Sequence, residues 1–289
     1  MVTVKAYAKI NLHLDICGIR NDGYHNVETV MQTVSLYDEV TVCFTEREGI
    51  TCECNVEGVP TDERNIAVKA AILFAQKSGT DSGVHIKIDK NIPMAAGLAG
   101  GSADAAATLR ALNILRGNIF TQQELCDIAS CLGADVPFCL VGGCAYTDGK
   151  GDVLHNFPSI PKDTVFLVAC GGEGVSTPWA YKFMDEVFDN FSSYRAKGVD
   201  SLRDALISDV PKEFASGIFN IFEAPVLERR EVAKQIKATM LKGGAVAAMM
   251  SGSGPSVFGI FDNETDARLV EKKVKNSGYF AQVCYPVEI

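Results

Sequence analysis

The sequence predicts an α+β fold in two domains, and three observations carry that prediction. Strand-like and helix-like periodicities are interleaved along the chain without a regular βα repeat. The 289 residues, 47% of them hydrophobic, suffice for more than one core. Periodic structure lapses over "TDGKGDVLHNFPSIP", Thr147 to Pro161, where glycine, proline and charge take over. The division is set near residue 155, with an N-terminal domain over 1–154 and a C-terminal domain over 155–289.

The elements follow in chain order. From Val4 to Ile16 apolar residues alternate with Lys5, Tyr7, Lys9, Asn11, His13 and Asp15, which predicts a half-buried, bent strand. Thr29 to Phe44 reads as a second strand. Ile66, Ala70, Leu73 and Phe74 recur at helical spacing, and Lys77 and Gly79 close that helix. Val84, Ile86 and Ile88 alternate as a strand, and from Ala103 the composition turns helical, with Leu109, Leu112 and Leu115 sharing a side. Beyond the boundary, Thr164 to Ala169 reads as a buried strand, and Leu227 to Leu241 and Glu264 to Lys275 as amphipathic helices. Ala245 to Met250 and Val257 to Phe261 flank a glycine-rich turn. Asp185 to Asp200 is polar and poorly periodic and predicts a surface excursion.

A net charge of -9 argues against broad binding to nucleic acid or anionic membrane, so any phosphate must be held locally. No apolar run approaches the roughly 20 residues that span a bilayer. The start, MVTVKAYAKI, carries no charged leader with an apolar core, so the ten cysteines read as reduced and the protein as cytoplasmic. Paired CxxC spacing is absent and the four histidines do not cluster, which argues against a zinc site.

Five segments carry polar chemistry. "IPMAAGLAGGSADAAATL", Ile92 to Leu109, runs from the end of a strand through Gly97, Gly100 and Gly101 to Ser102 at a helix entrance. Glycines there bring backbone N–H groups and the positive helix end close to an anion, and phosphate is the natural guest. Read alone, the segment fits equally a tight turn capped by Ser102. It matches neither the Walker pattern nor the dinucleotide fingerprint. "MSGSGPSVFGIF", Met250 to Phe261, reads as a hairpin turn or a ligand loop. Lys9 and Asn11 share one strand face, either a solvated surface or part of a site. "RNDGYHNVE" presents Tyr24 and His25 on an Asp22-Gly23 turn, and "LGADVPFC" sets Asp135 before Pro137, as a helix cap or a general base. A glycine loop, a lysine and an aspartate are a sufficient kit for phosphoryl transfer, which mainly needs phosphates held and an acceptor hydroxyl oriented and deprotonated.

With "AKINLHLDICGIRNDGYHNVE" ahead of these segments, in this order and spacing, nearly the whole chain resembles the GHMP kinase superfamily. The A-K-I-N-L, R-x-D-G-Y-H and G-A-D-V-P-F motifs are similar to the branch acting on 4-diphosphocytidyl-2-C-methyl-D-erythritol. The resemblance implies two α+β domains with the active site in the cleft between them. It implies ATP-dependent, Mg²⁺-assisted phosphorylation of that substrate's 2-hydroxyl on the non-mevalonate route to isoprenoid precursors. Asp135 matches the catalytic aspartate and Lys9 its partner, and Asn11 a residue orienting the substrate. Tyr24 and Tyr181 match rings on either face of the cytosine, and His25 the reader of its edge. The loop of Pro93, Met94, Ala95, Ala96, Gly97, Leu98, Ala99, Gly100, Gly101, Ser102 and Ala103 matches the wrap around the ATP phosphates. The resemblance implies that Ser102 lies near the Mg²⁺ and that Lys90 and Asn65 are on the nucleotide side.

Ala99 and Ala103 depart from the usual G-L-G-G-G-S-S. An intact cradle therefore requires Ala99 in an ordinary backbone region, and position 103 loses a hydroxyl that could contact phosphate or cap the helix. The rivals are a sibling kinase for mevalonate, homoserine or a sugar, which gives Tyr24, His25 and Tyr181 no task; a non-catalytic nucleotide-binding relative, which predicts loss of Lys9 or Asp135; and a purely structural two-domain protein, which leaves two glycine clusters and a polar strand face unexplained.

Overall fold

The computed structural model describes residues 1–79, 82–208 and 211–289. The chain opens with two long antiparallel strands, β1 (Val2–Ile19) and β2 (His25–Thr45), so the predicted second strand begins four residues early. β3 (Ile50–Cys54), α1 (Ile66–Ser78), β4 (Gly83–Asp89), α2 (Gly100–Leu115), α3 (Gln122–Ser130), α4 (Asp135–Val141), β5 (Cys144–Asp148) and β6 (Val153–Asn156) follow. The later elements are β7 (Val165–Cys170), α5 (Thr177–Val187), α6 (Asp200–Ile207), β8 (Phe219–Asn220), α7 (Glu223–Leu227), α8 (Glu231–Lys242), β9 (Ala245–Met250), β10 (Val257–Phe261), α9 (Glu264–Asn276) and β11 (Phe280–Cys284).

A seven-stranded sheet runs in the order β3-β4-β2-β1-β8, with β5 paired to β2 and to β6. A four-stranded antiparallel sheet has the order β11-β7-β10-β9. The short β8 lies parallel to β1 at His13 and Leu14, so a segment from late in the chain completes the first sheet.

Three apolar clusters hold the layers. One packs α1, α2, α3 and α4 on the first sheet, and another packs α5, α7, α8 and α9 on the second. Between the sheets, Ala8, Ile10 and Leu12 of β1 meet Phe166, Val168 and Phe258. Burying each large side chain contributes about 1.5–3 kcal/mol. The alanines of the quoted segment now have a reason. Ala103, Ala105, Ala106, Ala107 and Ala111 are all buried, and their small side chains let α2 lie close to the strands beneath.

One expectation needs correction. β1 is not half-buried, because Lys9, Asn11, His13 and Asp15 are as enclosed as the apolar residues between them. Alternation reports which face a residue takes, and here both faces are covered. The strand is bent as expected, with register shifts after Tyr7, Asn11 and Ile16. Asp185 to Asp200 is a largely exposed excursion, as expected, but it is anchored to the body of the protein. Phe191 is buried, the Tyr194 hydroxyl donates to Asp15 Oδ1 at 2.7 Å, and the Lys197 N–H donates to Asp15 Oδ2 at 2.7 Å. Asp189, Asn190 and Phe191 have φ of 47°, 53° and 60°, a path without helical period that sets Phe188, Phe191 and Tyr194 ring against ring.

Candidate active site

The two glycine clusters form one structure. β9 and β10 are the predicted hairpin, and its turn packs against the loop entering α2. Ser256 N–H donates to the Ala96 carbonyl at 3.2 Å, and the Ser251 hydroxyl to the Gly97 carbonyl at 3.1 Å. Gly97 has φ of 77°, and a Cβ there would lie 2.2 Å from the Ser251 carbonyl oxygen. Only glycine permits so close a passage. The Lys9 N–H then ties β1 to this assembly through the Leu98 carbonyl at 3.1 Å.

Polar groups of β1 continue the network. Lys9 Nζ donates to Asn11 Oδ1 at 2.7 Å, Asn11 Nδ2 donates to Thr29 Oγ1 at 2.8 Å, and the Thr29 hydroxyl donates to the His13 carbonyl at 2.6 Å. The Asn11 N–H reaches Ser251 Oγ at 3.2 Å. Asn11 thus spends its whole amide on orientation, which leaves Lys9 aimed at Asp135, whose Oδ2 is 3.6 Å from Nζ. Asp135 stands in the first turn of α4, held there by the buried run Val136 to Leu140. Its side chain is 37% exposed, whereas that of Lys9 is 6% exposed. An enclosed cation beside an accessible carboxylate suits proton removal from a hydroxyl whose oxygen is gaining charge.

Both groups line a cavity of about 1000 Å³, which also takes in Asn11, Tyr24, His25, Asn65, Lys90, Tyr181 and every loop residue from Pro93 to Ser102. Ala103 does not line it, because its methyl group is buried in the core beneath α2. The loop departs from expectation at Ala99, which has φ of 57° and lies in the left-handed region. An ordinary conformation was required of it, but entry into α2 at this angle needs αL, and alanine occupies it at a cost of about 1–2 kcal/mol. Ser102 is not the N-cap. Ala99 holds that position without a side-chain cap bond, so among the described residues no side chain caps the first N–H groups of α2.

Lys90 and Asn65 are already engaged. Asn65 caps α1 by accepting from the Ala67 N–H at 2.9 Å, and its amide donates to the Pro60 carbonyl at 2.7 Å. Lys90 Nζ is paired with Asp38 and, at 2.7 Å, with Asp104 Oδ2. Burial works against the Lys90 ammonium, yet Asp104 and Asp38 hold its pKa above the ordinary lysine value. Burial pushes the Asp104 carboxyl up to about 7, with Lys90 opposing and Asp38 adding to the rise. Asp104 Oδ1 has no partner among the described residues.

Among the aromatic lining residues, Tyr24 is mostly exposed, with Lys150 Nζ 4.1 Å from its ring centre. Tyr181 is packed edge-on to Phe222 at 5.0 Å and sits 4.8 Å from the His25 ring. Burial holds the Tyr181 phenol well above its ordinary pKa. Sequence reasoning missed Thr29, Lys150, Asp185 and Ser251. Ser251 belongs to a segment already singled out, and Asp185 stands four residues after Tyr181 and so on the same helix face, which was a usable signal. Thr29 and Lys150 carried none. No group of three or more His, Cys, Asp or Glu among the described residues could hold a metal ion. No described helix is long and apolar enough to cross a membrane.

Residues 65–143 match the GHMP kinases N terminal domain and residues 202–279 the GHMP kinases C terminal domain. A 4-diphosphocytidyl-2-C-methyl-D-erythritol kinase of Acetivibrio thermocellus is 42% identical over 282 residues, covering 96% of this chain and 95% of that protein. The kinase of the same name from Clostridium beijerinckii is 42% identical over 272 residues, covering 94% and 95%. Among solved structures, a 4-(cytidine 5'-diphospho)-2C-methyl-D-erythritol kinase superposes with a TM-score of 0.80 at 30% identity, over 98% of this chain and 99% of that one. A homoserine kinase from Cytophaga hutchinsonii superposes at 0.75 with 20% identity, covering 99% and 95%, and shares the fold.

Proposed function

The chain belongs to the GHMP kinases, small-molecule kinases that use ATP, and we propose that it phosphorylates the 2-hydroxyl of 4-diphosphocytidyl-2-C-methyl-D-erythritol. The observation that carries this reading is the cavity itself. Its lining brings together an uncapped helix N-terminus and glycine loop, the aromatic group Tyr24, His25 and Tyr181, and the pair Lys9 and Asp135. A sibling acting on mevalonate or homoserine has no use for that aromatic group.

In this reading the loop from Pro93 to Ser102 holds the ATP phosphates by backbone N–H groups. The fit is supported by the helix entrance, whose first donors no side chain caps among the described residues. The base of the acceptor lies between Tyr24 and Tyr181, and its edge meets His25. Asp135 takes the proton of the acceptor hydroxyl as that oxygen attacks the γ-phosphorus, the bond to the ADP oxygen breaks, and ADP departs. Lys9 offsets the charge gathering on the attacking oxygen, and Asn11 holds Lys9 in register. Mg²⁺ suits hard oxygen donors, and of the lining residues Ser102 through its hydroxyl and Asp104 through its carboxylate, whose Oδ1 has no partner among the described residues, would hold it. When bound it neutralises phosphate charge. The domain division proposed near residue 155 falls inside β6, with β8 returning to the first sheet.

The test is ADP release with Mg-ATP and, separately, the cytidyl substrate, mevalonate and homoserine. Turnover confined to the cytidyl substrate is expected, with the new phosphate on its 2-hydroxyl by phosphorus NMR. Turnover confined to another acceptor would discard the cytosine site and keep the kinase.

A further inference from the structure

The His25 imidazole is tied down at one nitrogen only. Its Nε2 lies 2.6 Å from Asp185 Oδ1, and the two side chains are 11% and 27% exposed. Nδ1 has no hydrogen-bond partner in the protein among the described residues. The ring is wedged 4.8 Å from Tyr181 and 5.9 Å, edge-on, from Phe191. α5 supplies both Tyr181 and Asp185, one turn apart on one face, and both line the cavity. The 189–197 segment, fastened to Asp15 through Tyr194 and Lys197, holds Phe191 against the same imidazole.

An ionised carboxylate accepts hydrogen bonds and donates none, so the hydrogen shared with Asp185 belongs to Nε2. In the neutral imidazole that leaves the lone pair on Nδ1. We propose that Asp185 is a specificity-determining positioning residue. By accepting Nε2–H it presents Nδ1 as an acceptor for the exocyclic amino group of an aminopyrimidine, and so selects cytosine over uracil. Uracil offers a carbonyl oxygen where cytosine offers N–H, which would set two acceptors face to face and leave both unpaired. The inference rests on the proposed cytidyl acceptor and adds to it the group that decides which pyrimidine is taken.

The test compares the protein with its Asp185→Ala variant on cytidine- and uridine-linked diphosphomethylerythritol, with nitrogen-15 NMR of the His25 ring in parallel. The unaltered protein should show hydrogen on Nε2 and a bare Nδ1, and should prefer the cytidine compound. Asp185→Ala should raise KM for the cytidine compound by about 10- to 100-fold, the usual worth of one good base contact. It should leave kcat and the KM for ATP within threefold and narrow the cytidine-to-uridine ratio at least tenfold. An unchanged ratio in a variant that still turns over overturns the role of Asp185 and leaves the kinase reading intact. So does hydrogen on Nδ1 in the unaltered ring, a measurement that stands even if the variant does not fold. Absence of turnover of the cytidine compound by the unaltered protein would instead sink the acceptor assignment, and this inference with it.

Discussion

Gly97→Ala attacks the contact between the two glycine clusters. The new methyl carbon would lie 2.2 Å from the Ser251 carbonyl oxygen and 3.2 Å from the Gly254 nitrogen, at a φ of 77°. The left-handed conformation costs an alanine about 1–2 kcal/mol. The clash is with backbone, so relief requires the hairpin turn to withdraw, a further cost of about 1–3 kcal/mol. The sum is about 2–5 kcal/mol. Gly101→Ala is the control, since its methyl carbon would meet only Ile66 Cγ2 at 3.5 Å within the first turn of α2. Exchanging a helical glycine for alanine there should stabilise by about 0.5–1 kcal/mol. Urea unfolding of the two variants checks both signs. Withdrawal of the turn would also pull on Asn11 through Ser251, so kcat of Gly97→Ala should fall along with stability. A Gly97→Ala protein as stable as the parent would refute the interlocked loops, and a destabilised Gly101→Ala would show that the helix entrance is closer packed than described.

Three further outcomes are expected. Ala99→Gly should relieve the left-handed alanine at the head of α2 and stabilise by up to about 1 kcal/mol, after the larger entropy of glycine in the unfolded chain is deducted; a loss of stability in thermal unfolding would contradict this. His13 is buried with neither ring nitrogen partnered among the described residues, and burial, opposed by Asp15 and aided by Lys197, lowers its pKa from 6.5 to about 4. The folded state therefore refuses a proton that the unfolded chain binds, so roughly 3 kcal/mol of stability present above pH 6.5 drains away as pH falls toward 4. His13→Leu should flatten that acid limb relative to the parent in urea titrations at several pH values, and parallel limbs would exclude His13 as its source. Tyr24→Ala should raise KM for the cytidyl acceptor tenfold or more while leaving KM for ATP unaltered, and equal losses would assign the ring to the fold.

How far the fold could be read from the sequence depended on periodicity. α1, β4, α9 and the β9–β10 hairpin appear close to where alternation or helical spacing put them. Alternation along β1 gave the correct faces but not their surroundings, since Lys9, Asn11 and His13 are buried by elements arriving from Gly97, Phe219 and Ser251. Such coverage is a long-range fact with no local trace. The segment after Asp185 is as exposed as its polarity suggests, but the anchoring of its aromatic residues through left-handed turns left no local trace. In the site, glycine-rich punctuation pointed to both loops, but only the close passage at Gly97 explains why they occur together. At Ala99 the inference from residue type to backbone failed outright, because helix entry imposed a conformation that alanine tolerates poorly.

The most direct test of the central claim, that Lys9 and Asp135 conduct proton transfer beneath the loop, is turnover by Asp135→Asn. The account predicts a fall in kcat of about 10²–10⁴. Calorimetric affinity for the cytidyl acceptor should stay within threefold, because the aromatic lining of the cavity is untouched. A variant that retains kcat within threefold of the parent would contradict it.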